Sequence, residues 1–294
     1  MSIQVVVLTL LALIAFAANS VFARLALGAA LIDPASFTLL RLLFGMVTLI
    51  FLVQFAQKSS AVTSDPLVQN HGIRHWFSAI ALFTYAICFS YAYVDLDTAT
   101  GALILFSTVQ LSMILVSIVS GKGLTKIECI GVLIAFAGFS YIFLPNLAAP
   151  SFCGALLMVI SGIAWAAYTL LGRGSLSPLN DTAASFIKTL PGVVLLFFIV
   201  IQESHFGLQG IVYAALSGVI ASGVGYAIWY SVLPKLSITQ ASVLQLLVPI
   251  IAAAGGILFA DEQLTQRLVI ASIMVLGGCY LVIVAKSRPN RQAS

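Results

Sequence analysis

Charged residues are scarce in this chain: they make up 7% of its 294 residues, whereas 61% are hydrophobic. Soluble domains carry about 25% charged residues, and the composition therefore excludes an ordinary soluble domain. The chain also lacks a cluster of basic residues interleaved with aromatic ones, which is the usual mark of a surface that binds nucleic acid. We expect a protein embedded in a lipid bilayer, without a nucleic acid partner.

Motifs for metals, cofactors and nucleotides are also absent. None of the four cysteines is spaced as in a zinc site or a redox pair, and we expect them to pack as small core residues. His71 and His75 have helical metal spacing, but they lie in a polar stretch without a third ligand. No G-x-x-x-x-G-K-S/T motif for ATP is present. The sequence thus predicts no cofactor and no metal.

Long apolar runs dominate what is present. A helix needs about 20 apolar residues to cross the ~30 Å hydrocarbon core of a bilayer. Ten runs approach that length, and they cover residues 3–24, 34–56, 75–94, 98–119, 125–144, 151–172, 182–202, 210–232, 237–259 and 265–285. No basic residue precedes Arg24, so we expect the first run to be a span rather than a cleaved signal. The sequence predicts an all-α integral membrane protein with ten transmembrane helices.

The distribution of lysine and arginine predicts the orientation of these spans. With the N-terminus in the cytoplasm, nine cations lie at cytoplasmic ends, and only Arg24 and Arg267 lie at outer ends. Cytoplasmic loops of membrane proteins carry an excess of such residues. We therefore expect a multi-pass protein of the cell (inner) membrane with both termini in the cytoplasm.

One short pattern occurs twice. Arg41 stands a few residues inside the second run with Gly45 four positions later, and Lys188 and Gly192 repeat this arrangement 147 residues further on. A cation at the centre of a span costs about 2.5–3.5 kcal/mol on insertion scales. Two such residues at matching places indicate two copies of one structural unit.

The repeat extends over the whole chain. The stretch 98–105 aligns with 237–244, and residues 1–146 and 147–294 form the two predicted repeats of five spans each. Because five is odd, the repeats have opposite orientations in the membrane. This predicts two inverted five-helix repeats, related by an axis in the membrane plane.

Short motifs at corresponding places in the two halves carry a family resemblance. They are Asn19 to Arg24, Pro34 to Arg41, Ala164 to Tyr168, Pro249, and Ala260 to Thr265. In this order they resemble the drug/metabolite transporter superfamily, in its ten-span branch with two EamA-type domains, over about 5–144 and 151–285. The last motif resembles the GE-x-L-T joint of that family. The resemblance implies a secondary transporter that exports small metabolites such as amino acids by alternating access.

Transporters built from repeats bind solute near the midplane, between the repeats. Residues about 12 positions into a span lie there, given a rise of about 1.5 Å per residue. Tyr85 and Gln110 meet this test, and Ser242 and Gln245 share one face of the ninth span. Asn19 lies past the middle of the first span, and Tyr168 is its counterpart in the sixth, with Trp165 one turn earlier on the same face. These seven are the candidate solute-binding residues. The alternative for the amides is an interhelical hydrogen bond, and for the aromatic residues it is packing. The aromatic residues expected at the membrane interface instead are Tyr91, Tyr93, Trp229 and Tyr230.

The two cations inside spans have two interpretations. Arg41 and Lys188 either extend to the nearer interface as anchors or contact the solute. As anchors, Arg41 would pair with an outer acid and Lys188 with Asp181. The outer acids within reach are Asp33, Asp95 and Asp97.

Other residues have local roles in the predicted helices. Pro249 and Pro191 remove a backbone donor inside a span, and we expect each to form a hinge or a packing kink. Asp95 and Asp97 precede the fourth span, and Asp261-Glu262 precede the tenth, so helix capping is expected of both pairs. The run from Gly218 to Gly225 predicts close helix packing.

No acid lies inside a span away from its ends. A carrier of lipophilic cations needs a buried carboxylate as counter-charge, so we expect neutral, zwitterionic or anionic solutes. One rival is an integral membrane enzyme such as a lipid-linked transferase, which needs acids, histidines or a metal facing a cavity. Another is a membrane scaffold without transport activity, which needs no central cavity. The expected partners are a small-molecule solute and the lipid bilayer, for a monomer or homodimer.

Overall fold

The computed structural model describes residues 2–59, 72–121, 125–142, 150–172, 175, 177–201, 205–236 and 244–287. Nearly all of these residues are helical, and across them the only β pairing is an isolated bridge between Ile32 and Phe206. Eight helical stretches have the length and apolar composition to cross a membrane. The protein is therefore an all-α integral membrane protein, as predicted.

The first half of the chain forms five helices. They are α1 (Ile3–Leu27), α2 (Pro34–Ser59), α3 (Ile73–Asp95), α4 (Thr98–Val119) and α5 (Lys126–Ile142). Local capping fixes where some of them begin. The carboxylate of Glu128 accepts a bond of 2.6 Å from the backbone N–H of Thr125, and the hydroxyl of Thr125 accepts one of 3.3 Å from the N–H of Glu128. This reciprocal pair closes the first turn of α5.

The second half forms shorter helical pieces. They are α6 (Phe152–Gly172), α7 (Pro178–Lys188), α8 (Leu190–Val200), α9 (Leu208–Leu216), a π-helical segment (Ser217–Val224), α10 (Gly225–Val232), α11 (Leu247–Phe259) and α12 (Gln266–Ser287). Helix α9, the π segment and α10 are continuous and together form the eighth predicted span. Each of the ten predicted apolar runs overlaps a helix or such a series of helices, and residues 237–243 of the ninth run lie outside the described residues.

The seventh span is broken where the prolines of the sequence predict a hinge. Helix α7 ends at Lys188, Thr189 is a turn residue, and α8 begins at Leu190 with Pro191 in its first turn. Because proline has no N–H, Pro191 cannot donate to the carbonyl four residues before it. Pro249 is placed similarly. It is buried in the first turn of α11 rather than in the middle of a helix.

The two halves are interwoven rather than side by side. Helix α1 packs against the eighth span and α11, α3 packs against α6 and α7, and α4 packs against α6 and α11. Helix α2 packs against α7, α8 and the π segment, and α5 packs against α12. The centre of the molecule is therefore built by helices of both halves.

The prediction that all four cysteines are core residues is wrong for two of them. Cys279 is buried between α12 and α5, and Cys88 is half-buried, but Cys129 and Cys153 are exposed. A cysteine behaves as a small apolar side chain, so an exposed thiol is compatible with the lipid-facing side of a membrane-spanning helix.

Candidate functional site

A cavity of about 120 Å³ lies between the two halves. Its lining comes from α1, α3, α4, α6, the π segment, α10 and the residue Gln245. It extends from the centre of the molecule to Gly172 and Leu233, where α6 and α10 end. We call this side the Arg74 end, after the residue at the start of α3, and the opposite side the Arg24 end. Among the described residues, the lining of the cavity therefore extends towards the Arg74 end.

Five polar side chains form a connected network beside this cavity. The Ser217 hydroxyl donates to Oδ1 of Asn19 at 2.6 Å, and Nδ2 of Asn19 donates to the Tyr85 hydroxyl at 3.1 Å. Nη2 of Arg41 donates to the same Tyr85 oxygen at 2.8 Å, and Nε of Arg41 donates to Oγ of Ser222 at 3.4 Å. Helices α1, α2, α3 and the π segment are therefore joined through one central polar network.

Arg41 is buried at the heart of this network. It is 2% exposed, and its guanidinium lies 5.0 Å from the ring centroid of Tyr85 and 4.8 Å from that of Phe89. Its Nη1 has no hydrogen-bond partner, and no ion pair within the described ranges includes it. The interpretation of Arg41 as an anchor that extends to the interface is wrong, because its charge stays inside the protein.

The acids predicted as partners of Arg41 are engaged elsewhere. Asp33 accepts from the backbone N–H groups of Ser36 and His205. Asp95 accepts from the hydroxyl of Ser151, and Asp97 pairs with Arg24 at 3.3 Å. All three stay at the Arg24 end, as carboxylates near an aqueous interface do.

Close backbone approach brings Arg41 to the network. A Cβ atom added at Gly218 would lie 2.6 Å from the carbonyl oxygen of Arg41 and 3.0 Å from the N of Gly45. Only glycine at position 218 therefore lets α2 pack this tightly against the eighth span. The π segment also sets the direction of Ser222, since Gly225 N–H bonds to Ile220 five residues before it. Such π turns occur frequently at functional sites.

Aromatic rings form most of the remaining wall. Phe16 lies edge-on to Tyr226 at 5.7 Å and to Trp229 at 5.8 Å between ring centroids. Trp165 stacks on Tyr226 at 5.4 Å and contacts Tyr85 at 4.7 Å. The wall therefore offers flat apolar faces, with the central polar network on one side.

Two of the aromatic residues predicted at the membrane interface are inside the protein. Trp229 is 6% exposed and lines the cavity, and Tyr93 is 0% exposed between α3 and α4. Tyr230 also lines the cavity, whereas Tyr91 is exposed as expected. Their positions near helix ends suited the interface, but packing of the eighth span against α1 covers Trp229.

Four of the seven predicted solute-binding residues line the cavity. These are Asn19, Tyr85, Trp165 and Gln245. Tyr168 lies beside it, with its ring 5.4 Å from that of Trp165, in a smaller cavity of about 70 Å³ at the Arg74 end. Gln110 is buried in α4 but does not line the cavity, and Ser242 lies outside the described residues.

Lys188 lies apart from all of these residues. It is half-buried, and its ammonium group lies 5.5 Å from the ring centroid of Trp76. It lines none of the described cavities. Asp181 is not its partner in an ion pair, since Asp181 pairs with His75 at 3.6 Å.

A set of polar contacts that we call the Glu262 clasp joins parts of both halves at the Arg24 end. The Glu262 carboxylate accepts from the backbone N–H of Thr98 at 2.8 Å and from its hydroxyl at 3.0 Å. Arg24 pairs with Glu262 at 3.4 Å and with Asp97 at 3.3 Å. The clasp ties α1 to α4 and to the segment before α12. Tyr93, fully buried, lies beneath it and donates to the Thr98 carbonyl at 3.4 Å.

The capping roles predicted for two of these acids need correction. Glu262 caps α4 through Thr98, not α12, and the hydroxyl of Thr265 accepts from the N–H of Leu268 to cap α12. Asp97 occupies the N-cap position of α4, but its side chain pairs with Arg24 instead. The first turn of α4 is therefore satisfied by a side chain distant in sequence.

Ser217 and Ser222 are the two members of the central polar network that the sequence analysis did not select. Both lie in or beside the small-residue run from Gly218 to Gly225, which predicts only close packing. A serine within a glycine-rich part of a span is itself a signal, because its hydroxyl needs a partner in the membrane. Phe16 could have been found too, since it occupies the place in the first half that Trp165 occupies in the second.

Comparison with known proteins agrees with this architecture. Residues 3–144 and 152–284 match the model of the EamA-like transporter family. An uncharacterized protein of Pseudomonas aeruginosa is 42% identical, with 96% of each chain covered. An uncharacterized transporter of Archaeoglobus fulgidus is 32% identical over 58% of this chain and 62% of its own.

A more distant relative and a solved structure extend the comparison. An uncharacterized transporter of Bacillus subtilis is 18% identical over 87% of this chain and 89% of its own. A protein of known crystal structure matches with a TM-score of 0.61 at 18% identity, covering 95% of this chain and 99% of that one. At that identity the match shows a shared fold.

Proposed function

The chain belongs to the EamA-like transporter family, and from this premise we propose that it is a secondary transporter that exports small metabolites by alternating access. The observation that carries the proposal is the central cavity. Both halves line it, its lining extends towards the Arg74 end, and the Glu262 clasp joins parts of both halves at the Arg24 end. A site accessible from one side at a time is what alternating access requires.

The helix packing supports an arrangement of two inverted repeats. A two-fold axis between the repeats would exchange each span with the span five places away in the chain. The contact between the third and sixth spans, α3 and α6, then corresponds to the contact between the eighth span and the first, α1, and both contacts are present. The contact of α4 with α6 becomes that of α11 with α1, while α5–α12 and α4–α11 are unchanged. A pseudo-two-fold axis in the membrane plane produces such a set of contacts. The proposed domains are residues 1–146 and 147–294.

The proposed orientation puts the Arg74 end in the cytoplasm. Arginine and lysine favour cytoplasmic ends of spans, and both termini then lie on that side of the inner membrane. The structure would then be the inward-facing state, with the cavity ready to take up solute for export. A reporter that is active only in the cytoplasm should work when fused after Ser294, and one active only in the periplasm should stay silent.

The cavity favours neutral, zwitterionic or anionic solutes. Among the described residues that line it there is no aspartate or glutamate, and Arg41 lies directly behind the wall. Efflux of lipophilic cations would require a counter-charge at membrane depth. Saturable export of a quaternary ammonium dye would contradict this part of the proposal.

The breaks at Pro191 and before Pro249 are the proposed hinges. Pro249 cannot donate to the carbonyl of Gln245, four residues earlier, and Gln245 lines the cavity. A change of backbone direction at this point would move Gln245 as the halves rock. Hinges of this kind are a few residues at the ends of helical elements.

The test of the proposed function begins with cells that overproduce the protein. A metabolite-resistance screen identifies solutes, and purified protein in liposomes then shows whether they cross the membrane chemically unchanged. We expect saturable counterflow, which Trp165→Ala should weaken because Trp165 forms the cavity wall. The matched control is Trp76→Ala, because Trp76 is an exposed tryptophan that does not line the cavity. Chemical conversion of the solute, or no flux above that of empty liposomes, would refute transport.

A further inference from the structure

The charge of Arg41 is unbalanced in the described part of the protein. Its side chain is 2% exposed, Nη1 has no hydrogen-bond partner, and no carboxylate of the described residues lies within 4 Å. A buried cation is costly unless it is paired and fully hydrogen-bonded. An arginine cannot lose its proton to escape this cost. The position therefore needs an anion that the described residues do not supply.

The groups in contact with Arg41 are themselves part of the cavity wall. Its guanidinium donates to Tyr85 and Ser222 and lies over the ring of Phe89. All three of these residues line the cavity. A solute in the cavity is thus separated from the guanidinium by a single layer of side chains.

Tyr85 links that charge to the cavity. Its oxygen accepts one hydrogen bond from Arg41 and one from Asn19, and these occupy both lone pairs of a phenol. The O–H proton of Tyr85 is left to be donated, and the adjacent guanidinium makes it a stronger donor. An acceptor with negative charge suits it best.

From these contacts we propose that the cavity binds the carboxylate of a monoanionic solute with a flat, apolar body. The inference rests on the proposed function, and it narrows the solutes of the same site. The carboxylate accepts the O–H of Tyr85 and lies in the field of Arg41. The body of the solute lies between the rings of Phe16, Trp165 and Tyr226.

The wall is less suited to a zwitterion such as an amino acid. An ammonium group needs acceptors or an anion, and no carboxylate lines the cavity among the described residues. Oδ1 of Asn19 already accepts from Ser217. The neutral amide oxygen of Gln245 is thus poor compensation for a second charge. One cation on the protein side matches one negative charge on the solute.

The size and surface of the cavity determine the body of the solute. About 120 Å³ is comparable to the ~150 Å³ engineered protein cavity that binds benzene. The ring faces of Phe16, Trp165 and Tyr226 favour offset stacking or edge contacts with another aromatic ring. A benzoate-sized aryl acid therefore has the charge, the shape and the volume that the site accepts.

The test uses three probes with the same ring and different charge. Benzoate, benzamide and benzylamine are titrated into the purified full-length protein by calorimetry at neutral pH. We expect benzoate to bind about tenfold more tightly than benzamide, as for a hydrogen bond to a charged group, and benzylamine to bind least. Equal binding of benzoate and benzamide, tighter binding of benzylamine, or no binding of benzoate at millimolar concentration would overturn the proposal.

Variants assign the preference to Arg41. Arg41→Gln should remove the difference between benzoate and benzamide, and Arg41→Lys should retain most of it. Lys188→Gln is the matched control, because Lys188 is the corresponding cation of the second half and lines no described cavity. It should keep the full preference. If Arg41→Gln does not fold, the comparison of probes on the unmodified protein and on Arg41→Lys decides the matter.

Binding and transport can fail separately. If the protein prefers benzoate but carries no carboxylate across liposomes, the proposed transport function is refuted, and the proposed anion site stands. If neutral solutes show saturable flux and carboxylates are not preferred, the proposed transport function stands, and the proposed anion site is refuted.

Discussion

Arg41 and Lys188 stand at corresponding places of the two halves, yet they have different environments. Arg41 is part of an unbroken helix, contacts the central polar network and is 2% exposed. Lys188 is the last residue of α7, half-buried, with its ammonium over the ring of Trp76. The same pattern of a cation and a glycine four residues later therefore serves two purposes. One copy supplies charge to the interior, and the other lies near the side of the bundle.

The neighbours of the two residues explain the difference. Arg41 faces Gly218, whose missing side chain allows α2 and the eighth span to touch through their backbones. The helix break at Thr189 follows Lys188 directly, and the residue that faces Gly192 is Phe83, through its ring. A repeated sequence pattern thus fixes the depth of a residue in the membrane, while its packing partners decide whether the residue reaches the centre.

The largest effect is expected from removing each cation in turn. Arg41→Gln should lower carboxylate flux in liposomes by about tenfold, because it removes the charge that strengthens the hydrogen bond from the Tyr85 hydroxyl to the solute. Lys188→Gln should change the flux by less than about twofold, because Lys188 lines no described cavity and contacts neither Tyr85 nor Asn19. Initial rates of counterflow at several solute concentrations measure both. Equal losses in the two variants would remove the functional distinction between the residues.

The second prediction tests whether close backbone packing at Gly218 causes the different environments of Arg41 and Lys188. Gly218→Ala forces a methyl group against the backbone of Arg41 and Gly45, and overpacking of this kind costs about 1–3 kcal/mol. Gly192→Ala meets only the ring of Phe83 at 3.2 Å, and a ring can shift by a few tenths of an ångström. Thermal unfolding in detergent should therefore show a clear loss of stability for position 218 and little for position 192. If both variants are equally stable, close backbone approach does not determine the position of Arg41.

A smaller effect is expected when an ion pair of Arg24 is removed. Arg24 belongs to the Glu262 clasp, and it is partly exposed, so each of its ion pairs contributes about 1 kcal/mol or less. Glu262→Gln keeps one oxygen acceptor for Thr98 but removes the charge that attracts Arg24. We expect the Arg24 end to open more often, so that Thr100→Cys, introduced beside the clasp, reacts about twofold faster with an impermeant maleimide.

The control for that experiment is the neighbouring acid. Asp261 has a positive φ of 52°, a conformation that asparagine also tolerates, and it takes no part in the clasp. Asp261→Asn should leave the rate of labelling unchanged. An equal increase in both variants would show that general loss of negative charge, not the clasp, controls access.

The sequence was sufficient for the overall architecture because a bilayer imposes one strong rule. Apolar runs of about 20 residues must be helices there, and each of the ten predicted runs overlaps a helical segment of the described residues. The break at Pro191 was also predictable, since proline cannot continue the hydrogen bonds of a helix. The π segment was not, because it has no periodic signature in the sequence.

The candidate site was only partly predictable for a related reason. Depth in the membrane can be counted along a span, and correspondence between the halves adds further residues; of those selected in this way, Asn19, Tyr85, Trp165 and Gln245 line the cavity. Counting does not tell which helix covers which face. That is why Gln110 lies outside the lining, Trp229 lies inside the protein, and the partners of Arg41 are hydroxyl groups rather than Asp33, Asp95 or Asp97.

The smallest effect on flux is expected from a pH gradient. This prediction again concerns Arg41 and Lys188. Proton-driven carriers need a group that titrates while shielded from bulk water. The described residues of the cavity wall include no aspartate, glutamate or histidine, and Arg41 stays protonated. Lys188 could carry a proton only from outside the cavity.

In liposomes, flux should therefore follow the solute gradient and respond little to a pH gradient at fixed membrane potential. It should respond to the potential, because moving one net charge across 100 mV is worth about 2.3 kcal/mol and Arg41 remains fixed in the protein. Empty liposomes correct for the passage of the protonated acid through lipid. Uphill accumulation driven by a pH gradient alone would contradict this prediction. If Lys188→Met then abolished that accumulation but spared counterflow, a proton cycle through Lys188 would be the better account, and the two cations would share the transport cycle rather than differ in it.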